Sequence, residues 1–387
     1  MPAPSPDLDQ RYMRQALRLA KLGRGHVEPN PIVGCVLVKD GQVIGEGHHA
    51  KFGGPHAEPA ALADCVNRGL SPAGATAYVT LEPCCHTNKK TPPCAPKLIE
   101  ARIGRLVLGC LDPNPAVDGG GVAMLRNVGI DVTVGVLEAE AKQLIAPFIL
   151  SNRRTRSYVT LKWAETADGK VAGPGSRRMQ ISGPESQRLV HELRSCCGGI
   201  LVGVNTVLVD DPLLTARLAN TQRHPRRFIL DSRLRTPADA MIMQDRSAST
   251  HVLYAQRSDP ETQHRGDALL ALGVVPVALP CDEQGRVFLE AALGHIRSGA
   301  ITELLVEPGP TMAQSFFDSG LVDRVWRFQS PVRVDDSSAP SAAMVPADYI
   351  ASAEVMVGND CLTEYLNPQS EAYFAPAASA DIGLAID

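Results

Sequence analysis

One histidine, one glutamate and three cysteines in the first hundred residues have the types and spacing of a metal centre. His56 and Glu58 lie two apart in GGPHAEPAAL, directly after a turn-forming stretch. Cys84, Cys85 and Cys94 cluster in EPCCHTNKKTPPC. A catalytic Zn²⁺ takes three protein ligands and leaves one position open for water, and neutral imidazole and thiolates are good donors. His56, Cys84 and Cys94 could supply that set.

Glu58 is placed to serve as the acid and base of such a centre. It lies close to a predicted ligand at the start of a predicted helix, so its carboxylate can take a proton from water and pass it to a leaving amine. Zinc deaminases of nucleobases carry this arrangement as H-x-E followed by P-C-x-x-C. The sequence departs from the second half of that signature, because the next candidate after Cys84 is Cys94, behind TPP.

Cys85 competes with Cys84 for the metal. Successive side chains of an extended chain point in opposite directions, so we expect only one of them to bind, and Cys84 follows the proline as in the signature. In the simplest alternative, Glu58 is an ordinary first-turn carboxylate and the cysteines are inert. In another, the cysteines form a structural zinc clip in a binding protein, which requires a fourth protein ligand such as His86. His49 is either a loop histidine or a substrate contact.

The composition is that of a folded protein that works on small molecules. The 387 residues are 44% hydrophobic and 21% charged, and the formal charge of −4 provides no electrostatic footprint for nucleic acid or an anionic membrane. Because we find no long apolar run and no leader, we expect no membrane partner and a cytoplasmic protein. The scattered cysteines outside the cluster are expected to be small buried hydrophobes rather than disulfides.

The elements around the candidate metal centre predict a layered α/β domain. SPDLDQRYMRQALRLAKLGRG is typical of an amphipathic helix, and GCVLVKDGQVIGEG of a hairpin that turns at Asp40 and Gly41. HAEPAALADCVNRG predicts a helix that ends at Gly69, and ATAYVTLEPCC a strand that runs into a loop. Helices and strands then alternate to about residue 145, which predicts a mixed sheet with packed helices.

A second α/β domain is predicted to begin at YVTLKWA, after the polar connector SNRRTRS. GPTMAQSFF follows a strand and opens a helix, so Gly309 and the amides of Thr311 and Met312 can face a phosphate. Arg194 and Arg217 can bind a phosphate through paired donors, although each alone is typical of a surface charge. From about residue 335 the chain is rich in Ala, Ser and Pro, and we expect its last segment to be loosely packed or disordered.

The first half resembles the amino-terminal domain of the bifunctional deaminase/reductase family of riboflavin biosynthesis. The segments that carry the resemblance are EPNPIVGCVLV, GEGHHAKFGGPHAE, AYVTLEPCCHTNKKTPPC and LDPNPAVDGGG. The resemblance implies a cytidine-deaminase-like three-layer domain whose zinc ligands are His56, Cys84 and Cys94 and whose acid/base carboxylate is Glu58. It also places the third ligand behind TPPC, which accounts for the departure from the deaminase signature.

The second half is similar to the reductase domain of the same family through TLKWAETADGKVAG, ISGPE, HELRS, GVNTVLVDDPLLTAR and VEPGPT. The resemblance implies a dihydrofolate-reductase-like α/β domain that uses NADPH. At the cofactor it places Ala164, Thr206, Asp210, Gly309, Pro310, Thr311, Met312, Ala313, Gln314 and Ser315. At the substrate it places Arg194, Leu214, Arg217 and Glu307, and His49 in the deaminase domain is a further candidate. Arg178 and Gln180 stand where family members often have Ser and Trp.

The sequence therefore predicts a two-step enzyme, with a zinc-dependent pyrimidine deaminase domain over residues 1–148 and an NADPH-dependent reductase domain over 149–387. The resemblance implies hydrolytic deamination of 2,5-diamino-6-(5-phosphoribosylamino)pyrimidin-4-one and then reduction of the ribosyl to the ribityl side chain. It also implies one Zn²⁺ and a homo-oligomer formed through the reductase domain. Lys162 is a candidate proton donor in the reduction. The alternatives are a deaminase with a degenerate reductase domain, and a nucleic-acid base deaminase, which would need a basic face.

Overall fold

The computed structural model describes residues 6–86, 92–114, 117–153, 156–218, 223–257 and 259–375. The chain divides into a first unit, Met1–Arg153 with Phe374–Asp387, and a second unit, Arg154–Tyr373. The boundary at 148/149 suggested by the sequence falls inside a helix, Ala146–Arg153, so the division lies a few residues later. Phe374 returns to the first unit, where its amide donates to Gln143 Oε1 at 3.3 Å and its ring lies 5.8 Å from Lys142 Nζ.

The first unit is a five-stranded sheet covered by helices on both faces. The strands are β1 (Gly34–Lys39), β2 (Gln42–His48), β3 (Thr76–Leu81), β4 (Arg105–Cys110) and β5 (Asp131–Val134). The helices are α1 (Pro6–Lys21), α2 (Ala57–Asn67), α3 (Cys94–Glu100), α4 (Gly120–Asn127), α5 (Glu138–Leu144) and α6 (Ala146–Arg153). In the order β2-β1-β3-β4-β5, β1 is antiparallel to its two neighbours, and the last three strands are parallel.

Alternate residues of the strands face opposite helix layers, as the two-residue period of a strand requires. In β1, Cys35 and Leu37 belong to the core formed with α2, α3 and α4. Val36 and Val38 belong to the core formed with α1, α5 and α6. The predicted three-layer arrangement follows from this alternation.

Gly47 brings the helix that carries Glu58 directly onto the sheet. A Cβ on this residue of β2 would lie 2.4 Å from the amide nitrogen of Ala61 and 2.5 Å from the carbonyl oxygen of Ala57, both in α2. Contacts this short do not occur between real atoms, so only glycine permits the observed packing.

A buried ion pair ties α1 to the sheet. Asp9 is 5% exposed and accepts hydrogen bonds from Arg105 Nη1 at 2.9 Å and Nη2 at 2.8 Å. The hydroxyl of Tyr78 in β3 donates to the same carboxylate at 2.9 Å. Because the carboxylate is shared by α1, β3 and β4, these elements are held in a defined register.

The second unit is a nine-stranded sheet in the order β10-β9-β8-β7-β11-β6-β12-β14-β13. The strands are β6 (Tyr158–Glu165), β7 (Gly199–Gly203), β8 (Arg226–Leu230), β9 (Thr250–Ala255), β10 (Val275–Leu279), β11 (Glu303–Val306), β12 (Arg324–Gln329), β13 (Ile350–Val357) and β14 (Asp360–Leu366). The helices are α7 (Pro184–Cys196), α8 (Val204–Asp210), α9 (Met241–Gln244), α10 (Pro260–Ala271), α11 (Leu289–Ser298) and α12 (Pro310–Asp318). Across the sheet, the first seven strands in this order, which end with β12, are parallel. Strand β14 is antiparallel to β12, and β13 is antiparallel to β14.

The region after residue 335 contributes more structure than its composition suggests. Strand β14 pairs with β12 on one side and β13 on the other, and its Leu362 and Leu366 are buried. The Ala, Ser and Pro content concealed this hairpin. Residues 376–387, to which the expectation of a loose last segment mainly applied, lie outside the described residues. Among the residues described, no helix combines the length and apolar character needed to cross a bilayer.

Candidate active sites

The ends of two helices and one strand bring the predicted metal ligands together. His56 is the N-cap residue of α2, Cys94 is the first residue of α3, and Cys84 follows β3. The amide of Cys94 donates to the carbonyl oxygen of Cys84 at 3.0 Å and lies 3.4 Å from its Sγ. The two segments that carry the cysteines are therefore joined next to His56.

The donor atoms of these residues fit one zinc ion. Zn–S bonds of about 2.3 Å and Zn–N bonds of about 2.0–2.1 Å in a tetrahedral site separate sulfur from nitrogen by about 3.6 Å. Cys84 Sγ is 3.7 Å and Cys94 Sγ 3.5 Å from His56 Nδ1. All three donor atoms lie within 4.8 Å of one another. Three such ligands leave a fourth tetrahedral position for water or substrate.

Glu58 lies in the first turn of α2 beside these donors and is 3% exposed. Burial raises the pKa of its carboxyl, and the neighbouring Cys84 acts in the same direction. The carboxylate also interacts with Cys94 and His56, which lower the pKa. A buried carboxyl next to a metal site, but not among its closely spaced donors, has the position required of an acid and base.

Cys85 is not a member of the close donor group, and its Sγ lies against α4. A Cβ placed on Gly120, at the start of α4, would lie 2.8 Å from Cys85 Sγ. His86 is not a member of the close group either. Among the described residues, only three donors lie close enough here to share one ion. A structural zinc clip needs four protein ligands and therefore finds no support.

His49 is buried at 2% exposure, and both of its ring nitrogens have partners. Nδ1 lies 2.9 Å from the carbonyl oxygen of Pro55 and must donate to it, which leaves Nε2 to accept from the Asn30 amide at 3.2 Å. Burial lowers the pKa of the ring, whose centroid is 5.1 Å from that of His56. The geometry favours the loop-histidine interpretation over direct substrate contact. This partner, Asn30, lies in the EPNP segment, where the sequence alone did not single it out.

The predicted reductase residues lie at the carboxyl ends of three central strands of the second sheet. Strands β7, β11 and β6 are adjacent and parallel, so their carboxyl ends meet. Ala164 lies near the end of β6, Glu307 and Gly309 follow β11, and Thr206 and Asp210 lie on α8 after β7. The carboxyl ends of parallel strands are the usual position of a ligand site in an open α/β sheet.

Glu307 and Arg194 form a largely buried ion pair at these strand ends. Arg194 Nε donates to Oε1 at 2.8 Å and Nη2 to Oε2 at 2.7 Å, and the two side chains are only 12% and 16% exposed. Burial by itself would raise the pKa of Glu307, but Arg194 and Lys162 outweigh it and hold this pKa at about 2. Burial lowers the pKa of Lys162, against the opposing effect of Glu307. Arg194 is therefore part of a largely buried charge cluster rather than a freely exposed surface charge.

The other predicted substrate residues, Leu214 and Arg217, flank Thr215, whose carbonyl oxygen accepts from Arg194 Nη1 at 3.4 Å. Leu214 is 1% exposed and has a φ of 54°, a backbone conformation that is uncommon outside glycine. Arg217 is exposed, and its amide lies 3.3 Å from Nδ1 of His191, a residue of HELRS that sequence reasoning did not single out. Burial, and then the charges of Arg194 and Arg178, lower the pKa of Arg217. Three guanidinium groups are thus near enough to interact.

Arg178 and Gln180, where the sequence departs from the family pattern, are both exposed. Arg178 Nη1 donates to the carbonyl oxygen of Asp210 at 3.2 Å, and its Nε lies 4.0 Å from the Asp210 carboxylate. Burial raises the pKa of Asp210, and Arg178 opposes this effect. The arginine is therefore linked to a predicted cofactor residue.

The start of α12 has the geometry of an anion site. Gly309 is the N-cap residue without a side-chain cap, and a Cβ placed on it would meet nothing within 4 Å. Pro310 is the first helical residue, and Thr311 after it is exposed. Met312 packs near the start of α8, since its Sδ would lie 3.4 Å from a Cβ placed on Gly203. The space beside Gly309 is therefore open, which is what a phosphate group at the start of this helix requires.

The rest of the predicted cofactor segment faces elsewhere. Ala313 is 2% exposed and belongs to the core. Gln314 donates to Asp318 at 2.8 Å, and Ser315 donates to the Thr311 carbonyl oxygen at 3.0 Å, so both side chains bond within the helix. The amide of Ala313 donates to the Gly309 carbonyl oxygen at 3.0 Å, so the first-turn amides left for a phosphate are those of Thr311 and Met312.

Comparison with known proteins shows a relationship along most of the chain. The model for the cytidine and deoxycytidylate deaminase zinc-binding region matches residues 6–110, and that for the RibD C-terminal domain matches residues 157–341. The riboflavin biosynthesis protein RibD of Aquifex aeolicus is 41% identical over 325 residues, which cover 84% of this chain and 87% of that protein. The chain belongs to the RibD family. RibD of Actinobacillus pleuropneumoniae is 40% identical over 369 residues, 93% of this chain and 95% of that protein.

Solved RibD structures have the same fold. Acinetobacter baumannii RibD has a TM-score of 0.80 at 33% identity and covers 94% of this chain and 100% of its own. A Thermotoga maritima structure, described as a diaminohydroxyphosphoribosylaminopyrimidine deaminase/5-amino-6-(5-phosphoribosylamino)uracil reductase, has a TM-score of 0.80, 35% identity and the same coverage. The predicted fold class and family are confirmed. As a member of this family, the chain is a bifunctional riboflavin biosynthesis enzyme with a zinc-binding deaminase domain and a reductase domain.

Proposed function

We propose that the first unit deaminates 2,5-diamino-6-(5-phosphoribosylamino)pyrimidin-4-one and that the second unit reduces the ribosyl group of the product to ribityl with NADPH. The observation that carries the proposal is the donor group of His56, Cys84 and Cys94, whose sulfur–nitrogen distances of 3.7 and 3.5 Å fit one Zn²⁺ beside the buried Glu58. The description of the Thermotoga maritima relative, which names a deaminase and a reductase for such compounds, supports the choice of substrate.

In the proposed deaminase, His56, Cys84 and Cys94 hold the metal and Glu58 moves the proton. Zinc in a three-ligand site, when bound, supplies Lewis acidity that makes water nucleophilic near neutral pH. Glu58 accepts a proton from the water that adds to the amino-bearing carbon. It then donates this proton to the amino nitrogen as the carbon–nitrogen bond breaks, and ammonia leaves. Burial of Glu58 keeps bulk water away from this transfer.

In the proposed reductase, the amides at the start of α12 bind a phosphate of the cofactor, and the buried charge cluster serves the sugar. NADPH, when bound, supplies the hydride for the anomeric carbon. The bond from that carbon to the ring oxygen breaks, and the oxygen must gain a proton. Lys162 is the proposed donor, because burial lowers the pKa of its ammonium group. Glu307 holds Arg194 by two hydrogen bonds and keeps a negative charge near Lys162.

Arg217 is the proposed contact of the substrate phosphate in the reductase. It is exposed and close enough to Arg194 and Arg178 for their charges to lower its pKa, so the three together attract a dianion. Arg217→Ala is expected to raise the reductase KM with little change in kcat, since the phosphate is remote from the bond that breaks. An unchanged KM would remove Arg217 from the site.

The experiment is a coupled assay on the purified full chain. The phosphoribosylaminopyrimidine substrate is supplied with and without NADPH, ammonia release and NADPH absorbance are followed separately, and bound zinc is quantified on the same sample. We expect ammonia without NADPH, and a fall in absorbance only after deamination. Glu58→Gln is expected to retain zinc, to lose deamination by about 10²–10⁴-fold, and still to reduce substrate that has already been deaminated.

The outcomes separate the two halves of the proposal. Full deaminase turnover by a metal-free preparation would overturn the zinc assignment. Ammonia release without any consumption of NADPH would leave a deaminase with a degenerate reductase domain, the alternative raised by Arg178 and Gln180. Reduction of the substrate before deamination would reverse the proposed order.

A homo-oligomer formed through the second unit is also part of the proposal. Within the described part of the chain, strand β13 pairs with β14 alone and so lies at the edge of the sheet. Its Ile350 and Met356 are 41% and 61% exposed. An edge strand with exposed apolar side chains favours pairing with a second copy. Light scattering should report an oligomer for the wild type and a smaller mass for Met356→Lys, and a wild-type monomer would contradict this.

A further inference from the structure

Glu82 precedes the proposed ligand Cys84 by two residues, and its carboxylate is buried at 3% exposure. Both oxygens accept backbone amides from the segment after β4. Oε2 accepts from Asp112 at 3.3 Å and from Gly119 at 3.0 Å, and Oε1 accepts from Val122 at 3.1 Å. Gly119 is the N-cap residue of α4 and Val122 lies in its first turn. A carboxylate from a distant strand end therefore caps this helix.

Helix α4 in turn contacts the peptide that leads to the metal site. A Cβ on Gly121 would lie 2.0 Å from the carbonyl oxygen of Pro83, and a Cβ on Gly120 would lie 2.8 Å from Cys85 Sγ. Any larger residue would have to push the segment or the helix aside. The backbone of α4 thus packs directly against Pro83 and Cys85.

This packing separates the directions of the two adjacent thiols. Cys85 Sγ lies against Gly120 in α4, whereas Cys84 Sγ lies 3.7 Å from His56 Nδ1. On the other side, the carbonyl oxygen of Cys84 accepts the amide of Cys94 at 3.0 Å. The thiol that reaches the metal is therefore determined by the orientation of this short segment between α4 and α3.

We infer that Glu82 is a positioning residue of the metal centre, whose hydrogen bonds to the start of α4 hold Cys84 rather than Cys85 among the ligands. The inference rests on the proposed function, which assigns His56, Cys84 and Cys94 to the ion. Glu82 acts through the backbone of the segment, because the atoms that it contacts are amides of α4 and of the preceding loop.

Two substitutions disturb the contact between this segment and α4, one in each partner. Glu82→Gln replaces one carboxylate oxygen by an NH₂ group, which cannot accept the amide that faces it. Gly121→Ala introduces a Cβ where the structure leaves 2.0 Å to the Pro83 oxygen. Outer-shell partners of metal ligands typically contribute about 10–100-fold to metal affinity. We expect each substitution to weaken Co²⁺ and Zn²⁺ binding by at least about tenfold.

The experiment titrates Co²⁺, and then competing Zn²⁺, into the metal-stripped full chain. The thiolate-to-cobalt absorption reports how many thiolates are bound, and the titration reports the affinity. Cys85→Ser should match the wild type in both, whereas Cys84→Ser should lose one thiolate. In the Glu82→Gln background, replacement of Cys85 should change the spectrum, because the second thiol can then reach the ion. A merely structural role of Glu82 would not make the spectrum depend on Cys85.

Asp9→Asn is the matched control, because it weakens another buried carboxylate of the same unit that bonds to Tyr78 and Arg105. It should bind Co²⁺ with wild-type affinity. If Glu82→Gln does not fold, as judged by circular dichroism, Gly121→Ala decides the question. Wild-type affinity and spectrum in the Glu82 and Gly121 variants would overturn the inference and leave the zinc assignment intact. A wild type that binds no Co²⁺, or a Cys84→Ser variant with an unaltered spectrum, would overturn the proposed function instead.

Discussion

Glu307→Gln removes the negative charge that stabilises Arg194 and Lys162 in the second unit. The pKa of Glu307 in the folded protein is about 2, against an ordinary value of 4.5. The two pKa values differ by about 2.5, and each pKa unit is equivalent to about 1.36 kcal/mol. The charged Glu307 therefore contributes about 3 kcal/mol to the free energy of unfolding near neutral pH. Loss of one partner of a buried pair typically costs about 3–5 kcal/mol, which agrees with this figure.

The pH dependence provides a second readout of the same pair. Because the folded pKa of Glu307 lies below its unfolded value, the stabilisation is complete well above pH 4.5 and is lost as the pH falls toward about 2. The difference in unfolding free energy between wild type and Glu307→Gln should therefore be about 3 kcal/mol at pH 7 and less than about half of that at pH 3.

Denaturant unfolding of the full chain at pH 7 and at several values down to pH 3 measures both quantities. The matched control is Glu364→Gln, which removes a buried carboxylate on β14 that accepts the Trp326 Nε1 hydrogen bond at 2.9 Å. We expect both variants to lose stability, but only Glu307→Gln to lose reduction, and both to retain deamination. A cost below about 1 kcal/mol at pH 7, or one that does not depend on pH, would refute the reasoning, because exposed pairs behave in that way.

Three further predictions concern the first unit. Gly47→Val should displace α2 and abolish deamination while reduction persists, since its Cβ would lie 2.4 Å from the Ala61 amide nitrogen; normal ammonia release would contradict the packing argument. Asp9→Asn should lower the unfolding free energy of this unit by about 3 kcal/mol, as measured by denaturant titration, and an unchanged midpoint would show that the Arg105 pair contributes little. Removal of the metal with a chelator should stop deamination but leave reduction of deaminated substrate intact. Equal loss of both activities in the coupled assay would contradict a metal role limited to the deaminase site.

The close group of three metal donors in the first unit could be predicted from sequence because metal chemistry restricts the residue types. A histidine two positions before a glutamate, with cysteines after a proline, has few uses other than zinc catalysis. The sequence favours Cys84 over Cys85 because Cys84 directly follows the proline, although the two thiols are adjacent and equally good donors. The structure separates them by the position of Gly120 in α4, which no local pattern indicates.

The reductase site was less accessible to sequence reasoning because its key contacts are tertiary. Arg194 and Glu307 are 113 positions apart, and neither neighbourhood shows that they share two hydrogen bonds. Elements with weak apolar patterns were missed as well. Helix α10 buries only Gly266 and Leu269, so it shows no continuous apolar stripe, and the burial of β13 does not alternate regularly.

The return of the chain to the first unit at Phe374 makes the order of the two units along the sequence more complex than a simple tandem. The polypeptide that forms the second unit is inserted between Arg153 and Phe374, and the Phe374 contacts to Gln143 and Lys142 form only after that insertion has been synthesised. A truncation at Arg153 would therefore yield a deaminase unit without these contacts. The first unit is thus formed from two separate segments of the chain. A single proteolytic cut between the units would leave one of those segments attached to the second unit.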